Sequence, residues 1–422
     1  MKYFHYAAVP VLVALTLLTT CAPAGPAAPA APTAPALTSA PSPAAATPAP
    51  AATVPVPTTA AATEAQIKVG IQETLDRYAQ AWGDNDLALL DETIDPQSGA
   101  FRRLVKGRFE TFQESALRGQ YVFSFTVDAI TPLEYDFVRA TVRTGGSTMG
   151  WTFREVDNRW LLSEPSATQV GKRETHDTEH FTFQTYPWSD SVNSEVMELM
   201  EQARDVVVER LGRSPEKQAR VSILPASTVG PPQGSGTVAY YFSSPRPTAP
   251  DQIIIYAPYT FAFGDYNATE GWQPFLRRTL AHEYTHLVQN RSFTPIVRVP
   301  LWMSEGLAEY VSDSPRANEV RQAIENDAVI PLIDPTTTDP LKVQDLQHMG
   351  ALERDTSLAY GLSYSLVAYI VEKHGGLDGF WKLAEAYDKR QKLPAALEQA
   401  FNISYEDFDT GWRTWLRETY TR

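Results

Sequence analysis

The chain has 422 residues, enough for two domains of ordinary size. Its 50 acidic residues outnumber its 36 basic ones, and the formal charge of −14 argues against nucleic acid and other polyanions as partners. It has one cysteine, so no internal disulfide can hold it together.

Residues 1–21 read as an export signal. Lys2 supplies the positive start, and Val9 to Leu18 is an apolar run too short to span a membrane comfortably. The run ends Leu18-Thr19-Thr20-Cys21, which resembles a bacterial lipobox, with Thr20 departing from the small residue usual before the cysteine. The resemblance implies lipidation of Cys21 and anchoring to the bacterial cell membrane on its extracytoplasmic side. The alternative is secretion after signal cleavage. Residues 22–63 are nearly all Ala, Pro and Thr. Such a stretch buries too little to offset the entropy of folding and is expected to be a disordered, extended linker.

Residues 64–168 are expected to form a first α+β domain. Ile67, Ile71, Leu75, Tyr78 and Trp82 keep helical spacing. A short helix with Leu87, Leu90 and Ile94 follows, then one around Phe101 to Leu117. Beyond Gly119 the period falls to two. Tyr121–Ile130, Tyr135–Arg143, Ser147–Val156 and Arg159–Ser163 read as strands, with turns at Gly145-Gly146 and Asp157-Asn158. Helices followed by an antiparallel meander resemble the cone-shaped cystatin-like fold of nuclear transport factor two relatives. The resemblance implies a curved sheet and a binding or spacer role, since the segment carries no His-Asp pair or metal cluster.

Residues 169–176 read as a polar join, and a second domain, 174–422, as a small sheet followed by a mostly helical part. His180–Tyr186 alternates as a strand, and His176 and His180 read as surface residues. Val192 to Val207 forms an amphipathic helix closed by Gly212. Strands are expected at Ala219–Leu224 and Gln252–Tyr256, separated by a long Pro- and Gly-rich loop, 225–250, of the kind that is often functional.

Next comes the stretch that carries chemistry. Thr279-Leu280-Ala281-His282-Glu283-Tyr284-Thr285-His286-Leu287 contains H-E-x-x-H in a helical pattern, with Pro274 in the first turn and Leu276, Leu280, Leu287 and Val288 as apolar positions. Residues four apart share a helix face, so His282 and His286 can address one metal ion, and Glu283 lies within reach of a water on it. Glu305, 19 residues beyond His286, is the natural third ligand. It lies on a second predicted helix, with Ser304 as its N-cap. Three protein ligands and an open position are what hydrolytic zinc requires.

His282-Glu283-Tyr284-Thr285-His286 followed by Trp302-Met303-Ser304-Glu305-Gly306-Leu307-Ala308-Glu309-Tyr310 resembles the gluzincin metallopeptidases, in the form shared by M1-type aminopeptidases and peptidase MA-like domains of bacteria. The resemblance implies zinc held by His282, His286 and Glu305, with Glu283 as general base. Glu309 falls where relatives hydrogen-bond a ligand histidine, although a solvated helix residue is the other reading. The strand before the zinc helix is implied to be a sheet edge that pairs with an extended peptide, the alternative being an ordinary interior strand.

A Pro-punctuated stretch then runs to about Asp355, with a short helix near Asn318–Glu325 and an exposed His348. Thr356–His374 reads as a helix in which Tyr360, with Tyr364 as alternative, falls where relatives place the tyrosine that binds the oxyanion; packing aromatics are the bland reading. Helices are expected near 377–389, 394–401 and 405–420. Ser404 caps the last of these, and Phe408, Trp412, Trp415 and Leu416 form core. The G-x-M-E-N strand by which M1 aminopeptidases grip a free amine is absent from the sequence, so an endopeptidase acting on peptides or proteins is expected. A lipid-anchored scaffold with a structural or inactive zinc site is the second reading, and a zinc hydrolase of non-peptide bonds the third.

Overall fold

The computed structural model describes residues 63–113, 123–144, 147–215, 218–225, 238–242, 251–256, 272–292, 299–336, 339, 342–351, 356–388 and 392–421. The expected signal, Cys21, nearly all of the expected linker and most of the 225–250 loop lie outside these residues.

The first half opens with α1 (Glu64–Asp84), α2 (Leu87–Glu92) and α3 (Gly99–Gln113). Thr63 starts α1 with a capping box: its hydroxyl accepts the Gln66 N–H, and the Gln66 side chain accepts the Thr63 N–H. Asp86 caps α2 through the amides of Ala88 and Leu89. Ile94 lies beyond α2 and forms an isolated bridge with Leu162 instead of continuing the helix. Strands β1 (Phe125–Pro132), β2 (Phe137–Thr144), β3 (Ser147–Val156) and β4 (Arg159–Leu162) form an antiparallel meander in sequence order. α1 covers it with the predicted apolar stripe, as Tyr78 lies edge-on to Trp151 at 6.0 Å and to Phe125 at 5.7 Å.

The second sheet has the order β5-β6-β7-β9-β8, from β5 (Glu174–Asp177), β6 (Phe181–Thr185), β7 (Ala219–Leu224), β8 (Ala239–Phe242) and β9 (Gln252–Tyr256). The expected polar join thus contains a strand. β5 is exposed at every position and lacks the alternation that would mark it in the sequence. β6, β7 and β9 run parallel, and β5 and β8 pair antiparallel at the two edges. The parallel step from β6 to β7 needs a crossover, which α4 (Asp190–Leu211) supplies, ending at Gly212 with φ of 60°. β9, the strand before the H-E-x-x-H helix, is therefore interior, and the edge expected of it belongs to β8. Ile253, Ile254 and Ile255 are all buried, as a strand covered on both faces of the sheet requires.

Helices complete the fold: α5 (Gln273–Ser292), α6 (Leu301–Ser312), α7 (Ala317–Glu325), α8 (Thr356–Lys373), α9 (Gly376–Asp388), α10 (Leu393–Phe401) and α11 (Tyr405–Tyr420). In α5 every residue from Leu280 to Gln289 is buried, so the helix has no solvent face there. The Tyr284 ring meets Phe181 of the sheet at 5.6 Å. α6 and α8 pack closely because Gly306 carries no side chain; a Cβ there would run into the Ser363 carbonyl of α8. α6 begins at Leu301 with Pro300 as N-cap, so Ser304 lies inside the helix and is not its cap. Ser404 does cap α11, accepting the Asp407 N–H at 3.0 Å, and Phe408, Trp412, Trp415 and Leu416 are buried as expected.

Candidate metal centre and active site

α5 and α6 bring three ligand atoms together. His282 Nε2 lies 3.1 Å from His286 Nε2 and 3.2 Å from a Glu305 oxygen, and His286 Nε2 lies 3.4 Å from that same oxygen. All three side chains are buried. Two ring nitrogens and a carboxylate facing one another across so small a triangle could hold a metal ion. A tetrahedral ion with bonds of about 2.05 Å has ligand atoms about 3.3 Å apart, so the residues present fit a metal such as zinc.

Each ring is oriented from behind. Glu309 lies one turn after Glu305, and its Oε1 is 3.4 Å from His282 Nδ1. Glu309 is buried, which sets aside its reading as a solvated residue. Ser304 donates its hydroxyl to Gln289 Oε1 at 2.9 Å, and its Oγ lies 3.2 Å from His286 Nδ1. With the hydroxyl hydrogen committed to Gln289, Oγ is left to accept from Nδ1–H, and the lone pair of His286 stays on Nε2.

Glu283, next to His282 on α5, is held by the neighbouring sheet. Its Oε2 accepts the backbone N–H of Tyr241 on the edge strand β8 at 2.7 Å, while Oε1 has no hydrogen-bond partner among the described residues. A buried carboxyl oxygen left open in this way is placed to take up a proton. Burial pushes the Glu283 carboxyl up to about 8, with Glu305 and Glu309 adding to the rise and His286 opposing it. Burial would also raise Glu305, but His286 and His282 outweigh it and hold that carboxyl far below its ordinary value. Two carboxyls of one cluster are thus pushed in opposite directions, a pattern that marks functional sites.

The structure also separates the two tyrosines. Tyr360 is buried with its ring centre 6.3 Å from His282, whereas Tyr364 faces Tyr310 at 5.7 Å, outside the cluster. Burial, reinforced by Glu305 and Glu309, raises the Tyr360 phenol well above its usual value and keeps it a proton-bearing donor. His348 pairs with Asp345 at 2.8 Å and stays largely exposed, while His180 pairs with Glu201 at 2.7 Å and His176 lies on the exposed β5. None of the three joins the cluster.

Sequence reasoning missed Ser304 as a partner of His286, along with Gln289, the Tyr241 amide and Arg316, whose guanidinium bonds Glu309 at 3.3 Å. The proline at 300 was the available signal for an earlier start of α6, which would have placed Ser304 on the helix beside Glu305. No local signal points to Arg316 or to the strand order.

A comparison with curated proteins finds no match. Residues 260–418, less than half of the chain, match the family model of the Peptidase MA superfamily. The match covers α5 to most of α11, the helices that carry the cluster, and it supports a peptidase of the metal-using kind in this part of the molecule.

Proposed function

We propose that the chain is a zinc-dependent peptidase of gluzincin type, an endopeptidase, working on the extracytoplasmic side of a bacterial membrane. The observation that carries this reading is the ligand triangle of His282, His286 and Glu305 with the open oxygen of Glu283 on the same helix. A structural metal site has no use for that oxygen, which favours the enzyme over the scaffold.

Held by His282, His286 and Glu305, zinc would supply a Lewis acid and lower the pKa of a water toward neutrality. Glu283 Oε1 takes the proton of the attacking water and delivers it to the leaving amine. The Tyr241 amide holds the other carboxyl oxygen, so that Oε1 alone moves the proton. Tyr360 donates its phenolic hydrogen to the carbonyl oxygen as negative charge develops there. An extended substrate laid along β8 would be read through its main chain, independent of free termini. The absence of a G-x-M-E-N strand in the sequence favours internal cleavage. Lipidation of Cys21 would tether the enzyme through the Ala/Pro/Thr linker. The 64–168 part, read as cystatin-like, would serve in binding or spacing.

Glu283→Gln tests the division of roles. The variant is expected to keep its zinc, measured by elemental analysis, and to lose at least about a hundredfold in turnover, the scale of a general base. If zinc content falls in step with turnover, the assignment is wrong.

A further inference from the structure

Beside Glu309 the cluster has a largely buried cation that the proposed chemistry does not use. Arg316 sits just before α7 with φ of 44°, a left-handed conformation that a residue with a side chain adopts at a cost. Its Nη2 bonds Glu309 Oε1 at 3.3 Å, the same oxygen that faces His282 Nδ1. Its Nη1 donates to Ser357 Oγ on α8 at 3.1 Å, and its guanidinium lies over the Tyr360 ring, 5.2 Å from the centre. The neighbouring helix is shaped around it, because a Cβ on Gly361 would come within 2.9 Å of Val320 and 3.1 Å of the Arg316 Cβ.

The charge count has the same direction. Glu283, Glu305 and Glu309 bring three negative charges when ionised, one more than a divalent ion neutralises. Uncompensated buried charge is costly, and among the described residues Arg316 is the arginine or lysine that pairs with a carboxylate of this group.

We propose that Arg316 is a positioning residue of the metal centre. It pins Glu309, through Glu309 it fixes the His282 ring with Nε2 toward the ion, and its charge completes the neutralisation of three carboxylates around one divalent cation. The proposal rests on the metal-binding reading of the cluster, not on the identity of the bond cleaved.

The test is the zinc affinity of the full chain by chelator competition, with melting temperatures of the metal-free proteins alongside. Arg316→Met is expected to weaken zinc by about 10- to 100-fold, the range for loss of a group that orients a ligand. Glu309→Gln should do the same, and the double variant should be no worse than the poorer single one, because both changes break one relay. Arg316→Lys keeps the charge without the fork and is expected to recover part of the loss. If Arg316→Met fails to fold, the lysine variant decides: weaker zinc binding at near-parental melting temperature supports the relay. Affinity within about twofold of the parent, or single losses that multiply in the double variant, would overturn it. A parent chain that binds no zinc overturns it as well. A parent that binds zinc, responds to these variants as described and cuts no peptide contradicts only the peptidase reading.

Discussion

At the scale of single residues, the cluster drives its titratable groups to different protonation behaviour. Glu305 is ionised, Tyr360 is neutral, and the carboxyl of Glu283 is poised between the two states. The last has a measurable consequence. Glu283 is expected near 4.5 in the unfolded chain and near 8 in the metal-free fold, so folding favours its protonated form. Its contribution to stability is complete below the lower value and lost as the pH rises through the upper one. Metal-free protein should therefore melt at a lower temperature at about pH 9 than at about pH 6, and Glu283→Gln should remove most of that slope. Thermal melts across this range decide it; a slope equally steep in the variant would show that another group is responsible. The residues at the heart of this cluster were legible because the i, i+4 rule converts a sequence spacing directly into a shared helix face, and because a carboxylate on a second helix is a recognisable third ligand. Ser304 was misplaced because the start of α6 was set four residues late, which turned a partner of His286 into a cap. Arg316 left no trace in the sequence, since its role depends on a left-handed turn between helices.

At the scale of elements, the site depends on how closely α6 can approach α5 and α8. Glu305 and Glu309 lie on the side of α6 that meets α5, while Gly306 meets the backbone of α8. Gly306→Ala forces a methyl group against a carbonyl that cannot swing aside, and is expected to cost about 1–3 kcal/mol or more. Gly83, in the last turn of α1, has nothing within 4 Å of where its Cβ would be, so Gly83→Ala should be neutral or stabilise by up to about 1 kcal/mol. Urea unfolding of the two variants measures the contrast, and equal midpoints would contradict the close approach. Helices were largely legible at this scale, with α4 and the helices from α8 onward found within a residue or two, since long apolar periodicity survives in one dimension. Strand order was not. β8 lies inside the stretch expected to be loop and takes the edge because β9 pairs between it and β7, and β5 carries no apolar alternation at all.

At the scale of the whole molecule, two separate sheets share a continuous apolar interior. Trp188 and Pro187 of the second half line one slot with Phe137, Pro165 and Val170, and Arg139 donates to the Pro187 carbonyl at 3.3 Å. Every group of the cluster, however, comes from residues 241 to 360. A chain of residues 174–422 is therefore expected to keep its zinc affinity and to lose stability, because Trp188 is uncovered. Chelator competition and urea midpoints measured side by side test this, and lost affinity with an intact fold would mean that the first half helps to build the site.

The most direct measurement is the digestion of an unbiased peptide mixture by the full chain, with every new terminus read by mass spectrometry. Parallel digests would contain added zinc, a chelator, or the Glu283→Gln variant. Internal cuts that depend on zinc and vanish in the variant are the predicted result. Internal cuts that persist in the zinc-loaded variant, or no cuts by a parent with zinc bound, would contradict the account.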